Sequence, residues 1–284
     1  MNPLSDVLAM DERTYRMWSK AAEEMSAGTP EALMLSAARL IPARRSSGSV
    51  AVIPLSGFLT QKATMFSMLF GGTSVQAFAR EVVAAMADSS VTAVVMDVDS
   101  PGGEVFGVTE AAGQIRAARG TKPLVAVANP MAASAAYWLA SQADEVVVTP
   151  SGVAGGVGVF STHLDESKAL EQAGLAVKFI SYGRRKVEGN SAEPLSEDAL
   201  ASIQARVDDA GRQFEVDVAK GRKVSAAKVH SDFGEGGLLT ASQAVESGAV
   251  DRVATLDEVV AQLVDGRKPK GGARAEEMRL RWGV

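Results

Sequence analysis

Residues 91–128 read VTAVVMDVDSPGGEVFGVTEAAGQIRAARGTKPLVAVA, and this stretch decides the fold. Val91–Val98 is a β-branched apolar run that predicts a buried strand, and Val105–Arg119 has the apolar spacing of a helix. Leu124–Ala128 predicts a second buried strand. The turn at Ser100–Gly103 separates the first strand from the helix. Because a strand, a helix and a strand in this order join parallel strands, the stretch predicts an α/β fold whose sheet is covered on both faces.

The same alternation continues on both sides of this stretch. Further strands are predicted at Val50–Leu55, Glu145–Val148, Val177–Ser181 and Val250–Val253. Further helices are predicted at Val75–Asp88, Met131–Gln142, Leu164–Ala173, Ser196–Lys220, Thr240–Ser247 and Leu256–Val264. Three parts of the chain are expected: residues 1–48, an N-terminal helical appendage ending in a linker at Ala43–Gly48; residues 49–264, the main domain; and residues 265–284, a flexible basic tail.

Composition excludes several classes of protein. The chain has 284 residues, a net charge of −5, two histidines and no cysteine. An acidic chain is a poor general binder of nucleic acid, and without cysteine there are no disulfides, cysteine-held iron–sulfur clusters or cysteine nucleophiles. The histidines, His163 and His230, lie far apart, so a histidine-rich metal site is not expected. No run approaches the roughly 20 apolar residues of a membrane span and no signal peptide is recognisable, so a soluble cytoplasmic protein is expected.

A candidate nucleophile, Ser134, lies in Pro130–Tyr137 (PMAASAAY). It follows a predicted strand and begins a predicted helix, and the free backbone N–H groups at a helix start favour developing negative charge. The small residues around it would let a substrate backbone come close. A helix N-cap is the commoner role of such a serine, and this segment alone favours that interpretation. A nucleophilic serine also needs a base, which His163 or Lys186 can supply. The ordinary alternatives are a polar residue at a helix start for His163 and a solvated surface charge for Lys186.

Two glycine-containing turns and one apolar segment complete the candidates. Ser100–Gly103 (SPGG) is either an oxyanion site made of free N–H groups or a tight turn. Gly152–Gly158 (GVAGGVG) matches neither GxGxxG nor the P-loop, so it predicts close backbone packing instead of phosphate binding. Residues 58–74 contain Met65, Phe66 and Phe70 and form either a buried helical turn or a mobile apolar flap that holds a peptide or a neighbouring subunit.

Four segments together resemble the signal peptide peptidase A family. They are SPGG at 100–103, MAASAAYWLASQAD at 131–144, TPSGVAGGVGV at 149–159, and Lys186 within RRKVEGN. Three others resemble its bacteriophage branch, which includes the minor capsid protease C, a prohead protease. They are GNSAEPLS at 189–196, AKGRKVSAAKV at 219–229 and ASQAVESGAVDRVATLDEVV at 241–260. The resemblance covers roughly residues 50–260.

The resemblance implies a Clp-protease/crotonase-like fold, a layered spiral of ββα units that carries the N-terminal helical appendage. It implies a serine endopeptidase with a Ser-Lys dyad, in which Ser134 is the nucleophile and Lys186 the general base. Backbone N–H groups of Gly103 and Ala135 are expected to stabilise the oxyanion. The residues expected along the substrate groove are Gly102, Tyr137, Met65, Phe66 and Phe70. The implied reaction needs no metal and no cofactor.

The resemblance also implies a biological role. A phage-type member would cleave scaffold or portal proteins during capsid maturation, in the host cytoplasm or within a procapsid, and would act as a homo-oligomer. Two positions depart from the family pattern: Ala135-Ala136 replaces a frequent Gly-Gly, and Gly156 stands where relatives often carry a hydroxyl that holds the lysine amine. The alternatives are a soluble bacterial signal-peptide-type peptidase, a crotonase-type acyl-CoA enzyme, and a non-catalytic capsid-assembly protein with a decayed site.

Overall fold

A computed structural model of the chain describes residues 8–10, 45–47, 49–63 and 71–266, with side chains from residue 49 onward. The strands in these residues are β1 (Leu8–Met10), β2 (Arg45–Ser47), β3 (Val50–Thr60), β4 (Thr73–Ser74), β5 (Ala93–Glu104), β6 (Leu124–Ala133), β7 (Glu145–Val148), β8 (Val153–Gly155), β9 (Leu238–Thr240) and β10 (Arg252–Val253). The helices are α1 (Val75–Ala87), α2 (Val108–Ala117), α3 (Ala135–Ala140), α4 (Ser167–Gln172), α5 (Glu197–Arg222), α6 (Ala226–Asp232), α7 (Ala241–Ser247) and α8 (Leu256–Val264).

The centre of the sheet is parallel, in the order β10, β7, β6, β5, β3. β2 adds an antiparallel strand beside β3. In the chain, α1 separates β3 from β5 and α2 separates β5 from β6, which is the connection that parallel neighbours require. The predicted α/β class is therefore confirmed, as a mixed sheet covered by helices.

Both faces of the central strands are buried. Val94 and Met96 of β5 belong to the larger core, which also contains the inward residues of α1, α2 and α3. The intervening Val95 faces the other way, into a smaller core with Val259 and Leu263 of α8. Alternate side chains of a strand point to opposite faces, so two covered faces require an unbroken apolar run. This explains why the stretch at 91–98 carries so little polar sequence.

A small extension of the sheet forms at the carboxyl end of β6. β8 pairs in parallel with Met131–Ala133, and β9 pairs antiparallel with β8. α3 begins directly after β6. The end of β6, the loop after β8 and the turn before β9 therefore lie side by side.

Two strand ends differ from the sequence prediction. The predicted turn at Ser100–Gly103 continues β5, because Gly102 and Gly103 pair with Phe58 and Leu59 of β3 on one side and with β1 on the other. Gly103 permits this packing, since a Cβ there would overlap the Leu59 carbonyl. Likewise β6 runs to Ala133, and its helix begins at Ala135 instead of Met131.

Two predicted segments have a different conformation. Val177–Ser181 forms no strand; it lies in an exposed stretch with no paired neighbour among the described residues, although its apolar composition is typical of a strand. Arg45–Ser47, expected in a linker, forms β2. Most of the predicted N-terminal helical appendage and basic tail lies outside the described residues, so the division into three parts stays a prediction. No described helix is both long and apolar enough to cross a bilayer.

Candidate active site

Ser134 occupies an unusual backbone conformation between β6 and α3. Its φ is 53° and its ψ is −122°, and the residue is 4% exposed. A non-glycine residue in such a region costs about 1–3 kcal/mol and persists where its surroundings hold it. Here the Ser134 N–H donates to the Gly155 carbonyl at 2.8 Å, and its carbonyl accepts the Trp138 N–H at 2.9 Å. The chain therefore turns sharply at Ser134, between the end of β6 and the start of α3.

The helix that follows Ser134, α3, is held in place by the buried side chains of Tyr137 and Trp138. The Trp138 indole N–H donates to the Asp217 carboxylate at 3.2 Å, and its ring stacks on Phe214 with 4.3 Å between centroids. The Tyr137 hydroxyl donates to the Ala249 carbonyl at 2.6 Å. Burial raises the pKa of Tyr137 well above its usual value, so this hydroxyl stays protonated. These contacts fix α3 against α5 and the segment before β10.

The glycine loop after β8 lies directly against Ser134. The Ser134 hydroxyl makes a long contact of 3.4 Å to the Gly158 carbonyl. A Cβ on Gly156 would lie 3.2 Å from the Ser134 nitrogen, and Gly156 has a φ of 66°. Close backbone packing, predicted for Gly152–Gly158, is confirmed. The loop leaves the space in front of the serine open because it carries no side chain at these positions.

A cavity of about 240 Å³ opens in front of Ser134. It is lined by Ala133, Ser134, Gly156, Gly158, Val159, Phe160, Glu235, Gly236 and Leu238. Glu235 and Gly236 of the turn before β9, and Leu238 at the start of β9, were not among the residues predicted from the sequence. The glycines of FGEGG (233–237) were the available signal. Their role depends on the pairing of β8 with β9, which a local pattern does not reveal.

The proposed oxyanion donors lie at two neighbouring strand ends. Ala135 is the first residue of α3, so its N–H has no carbonyl four residues earlier within the helix. Ser100 of β5 is paired with Ala132 of β6, which brings the SPGG segment alongside the strand that leads to Ser134. The Gly102 N–H is already used, since it donates to the Ser100 hydroxyl at 3.2 Å. Gly102 and Gly103 are buried and do not line the cavity.

Lys186 does not meet Ser134 within the described part of this single chain. It is exposed in a turn where its N–H donates to the Gly183 carbonyl at 3.1 Å, and it does not line the Ser134 cavity. Its ammonium group makes no hydrogen bond or ion pair with any residue that the structure describes. The structure therefore brings together Ser134, Ala135 and the glycine loop, but leaves the expected base on the surface.

The other sequence candidates lie elsewhere. His163 is partly buried, and its Nε2 atom has no hydrogen-bond partner among the described residues. It does not line the cavity. Tyr137 is fully buried and also lies outside the cavity. Met65, Phe66 and Phe70 fall outside the described residues. No group of three or more metal-ligating side chains occurs in the part of the chain that the structure describes.

The comparison with protein families decides the identity of the chain. The model described as "Peptidase family S49" matches residues 116–269, which include Ser134, the glycine loop and Lys186. The chain belongs to peptidase family S49. The predicted family resemblance is thereby confirmed, and three of its four motifs lie within the matched residues; SPGG at 100–103 precedes them.

Two curated relatives of this S49 chain come from bacteriophages, as its phage-branch segments predicted. It is 32% identical over 224 residues to "Head-tail preconnector protein GP5" of Enterobacteria phage P21, covering 78% of this chain and 44% of the relative. It is 29% identical over 233 residues to "Capsid assembly protease C" of Escherichia phage lambda, covering 80% and 53%. The chain thus spans about half the length of these relatives.

A solved structure is also similar to this S49 chain. It is a mutant of the 1510-N membrane-bound stomatin-specific protease in complex with a substrate peptide, at 15% identity and a TM-score of 0.46. The match covers 76% of this chain and 80% of that one.

Proposed function

We propose that this chain is a serine endopeptidase in which Ser134 attacks the peptide carbonyl. The observation that carries the proposal is the positive-φ Ser134, held by Gly155 and lining a cavity to which Gly156 and Gly158 bring no side chain. Gly156 and Gly158 therefore leave room for a substrate backbone on their side of the hydroxyl. Membership of a peptidase family supports the same reaction.

The proposed chemistry runs through an acyl-enzyme. The neutral Lys186 amine takes the proton of the Ser134 hydroxyl as its oxygen bonds to the carbonyl carbon. The N–H group of Ala135 stabilises the resulting oxyanion. A second donor from Gly103 requires that this buried N–H be turned toward the cavity when substrate binds. Lys186 then gives the proton to the leaving amine, the C–N bond breaks, and a water molecule activated by Lys186 releases the acyl group. Lys186 therefore carries the proton in each step of the proposed reaction.

The exposed position of Lys186 supports a homo-oligomeric enzyme. A lysine acts on the serine proton only within hydrogen-bond reach of it. None of residues 161–198 is buried, and most of them are exposed. This stretch carries large exposed apolar side chains: Leu164, Leu175, Val177, Phe179, Ile180 and Tyr182. An apolar patch of this kind marks an interaction surface. We propose that a second copy covers it and that Lys186 enters a Ser134 cavity in the assembled oligomer.

The proposed biological role is the processing of head proteins during phage assembly. The names of the two phage relatives support this role, since one is a capsid assembly protease and the other a head-tail preconnector protein. Substrates would then be scaffold, portal or capsid proteins in the host cytoplasm or within a procapsid.

Hydrolysis by mixed variants tests the proposal. Ser134→Ala and Lys186→Ala are each expected to lose more than about a hundredfold in peptide hydrolysis, while the exposed controls Ser151→Ala and Arg206→Ala, which lie outside the apolar patch, keep it. If one copy supplies the lysine to another, mixing and reassembling the two inactive variants restores part of the activity. Unchanged hydrolysis by Ser134→Ala overturns the proposed function. Two inactive variants that stay inactive after verified mixed assembly overturn the sharing of the site between copies.

A further inference from the structure

A second residue with a left-handed backbone faces the Ser134 cavity. Glu235 has a φ of 45° and lies between Gly234, with a φ of 90°, and Gly236, with a φ of 89°. Glycine takes this conformation without strain, whereas a glutamate does so at a cost. Glu235 is nevertheless one of the residues that line the cavity. A strained residue at the edge of a reactive site points to a use for its side chain.

The turn that carries Glu235 is fastened to the nucleophile loop. The Gly237 N–H donates to the Gly234 carbonyl at 2.7 Å, which closes the turn. The Gly156 N–H then donates to the Gly237 carbonyl at 2.9 Å, one residue after the Gly155 carbonyl that holds Ser134. The Glu235 backbone is therefore tied to Ser134 through two successive loop residues.

Among the described residues that line this cavity, Glu235 is the one with a charged side chain. The other lining residues are alanine, serine, glycine, valine, phenylalanine and leucine. The Glu235 carboxylate makes no hydrogen bond or ion pair with any residue that the structure describes. His230 feels its charge at longer range, but the pKa of His230 is raised chiefly by Glu215, which lies 2.7 Å from the imidazole. The carboxylate is thus open to a ligand.

We propose that Glu235 determines specificity by binding a basic side chain of the substrate, a lysine or arginine close to the scissile bond. This inference rests on the proposed peptidase function and names the substrate class. A bound peptide excludes water from the cavity, which strengthens an ion pair between the carboxylate and an ammonium or guanidinium group. A preference of about tenfold for a basic over a neutral residue is the expected size of such a contact.

Paired peptides that differ at one position test this inference. The wild-type protein first cleaves a peptide mixture, and mass spectrometry locates the scissile bonds. Matched peptides with arginine, leucine or glutamate at each flanking position then give ratios of kcat/KM. We expect an arginine-to-leucine ratio of about ten at one position, falling to about one in Glu235→Gln. In Glu235→Lys the preference is expected to shift to glutamate.

The controls separate this contact from other roles of the turn. Glu246→Gln removes an exposed glutamate of α7, and His230→Gln removes the neighbouring imidazole; both are expected to keep the wild-type ratio. Glu235→Gly suits the left-handed backbone and replaces the glutamine variant if that fails to fold. Cleavage without a basic preference, or a loss in Glu235→Gln that is equal for arginine and leucine peptides, overturns this inference and leaves the peptidase intact. A wild-type protein that cleaves no peptide overturns both.

Discussion

The Gly155 carbonyl accepts the Ser134 N–H at 2.8 Å, and this bond makes the glycine loop and the nucleophile one structural unit. β8 ends at Gly155 and is paired with the last residues of β6, so both partners of the bond are fixed by the same strand pair. This hydrogen bond lies at the residue where the chain leaves β6, and Ser134 has a φ of 53° there. The reactive conformation of the serine is therefore maintained by sheet pairing and not by its own preference.

This origin of the serine conformation predicts a conflict between stability and activity. Ser134→Gly is expected to raise the free energy of unfolding by about 1 kcal/mol relative to Ser134→Ala, because glycine adopts a positive φ without the Cβ clash. Both variants are expected to be inactive. Urea denaturation of the two variants measures the difference, and an alanine variant as stable as the glycine variant would show that position 134 is unstrained.

Gly156 is expected to tolerate no side chain. Gly156→Ala places a Cβ at a φ of 66° and 3.2 Å from the Ser134 nitrogen. We expect it to lower the free energy of unfolding by about 1–2 kcal/mol and to slow acylation at least tenfold. The matched control is Gly113→Ala, since Gly113 lies in α2 with nothing within 4 Å of its added Cβ. The control is expected to be neutral or stabilising. Equal effects of both substitutions would contradict the packing described for the loop.

The outline of the fold could be predicted from the sequence, but the details of the site could not. Val94 and Val95 face different cores, so the apolar run at 91–98 identified a buried strand without long-range information. Ser134 could be selected as a candidate nucleophile, but its positive φ could not be predicted, because this conformation depends on the hydrogen bond to Gly155. Glu235 was missed because only the pairing of β8 with β9 brings its turn to the cavity. Lys186 was selected from its motif, but it makes no contact with Ser134 in the described part of the single chain.

The two candidate bases make opposite predictions. Lys186→Ala is expected to lose at least a hundredfold in kcat, whereas His163→Ala is expected to keep most of it, because neither the cavity nor a hydrogen bond links His163 to Ser134. With lysine as the base, the rate is expected to rise from neutral into alkaline pH, since the amine acts when neutral. A rate limb near pH 6.5 that His163→Ala abolishes would assign the base to histidine.

A half-buried ion pair at the end of α5, in which Arg222 is buried and Asp251 is 36% exposed, gives a pH-dependent stability. Arg222 donates two hydrogen bonds of 2.8 Å to the Asp251 carboxylate and is 7% exposed. Burial alone would raise the pKa of Asp251, but the hydrogen bonds and charge of Arg222 outweigh it and lower this pKa. The stabilisation is therefore present above the unfolded pKa of about 4 and is lost as the pH falls through the lower folded value.

Asp251→Asn is accordingly expected to lower the free energy of unfolding by about 1–2 kcal/mol at pH 7, because the buried Arg222 loses its charged partner and keeps the Gly248 carbonyl, while solvent at the partly exposed Asp251 screens the pair. The difference from the wild type is expected to be constant between pH 5 and pH 8 and to shrink below about pH 4. Asp198→Asn is the matched control, since the Arg184–Asp198 pair has the same 2.8 Å distance on the surface. It is expected to cost less than about 1 kcal/mol. A pH-independent loss in Asp251→Asn would rule out the ionised pair as the cause.

Trapping the acyl-enzyme tests the assignment of Ser134 as the nucleophile most directly. The assembled wild-type protein is mixed with an activated ester or peptide substrate, quenched in acid during the first turnover, and digested for mass spectrometry. We predict an acyl adduct on the fragment that contains Ser134, formed at the rate of first product release and absent from Ser134→Ala. Turnover with no adduct on Ser134, or an adduct on another residue that persists in Ser134→Ala, would contradict the assignment.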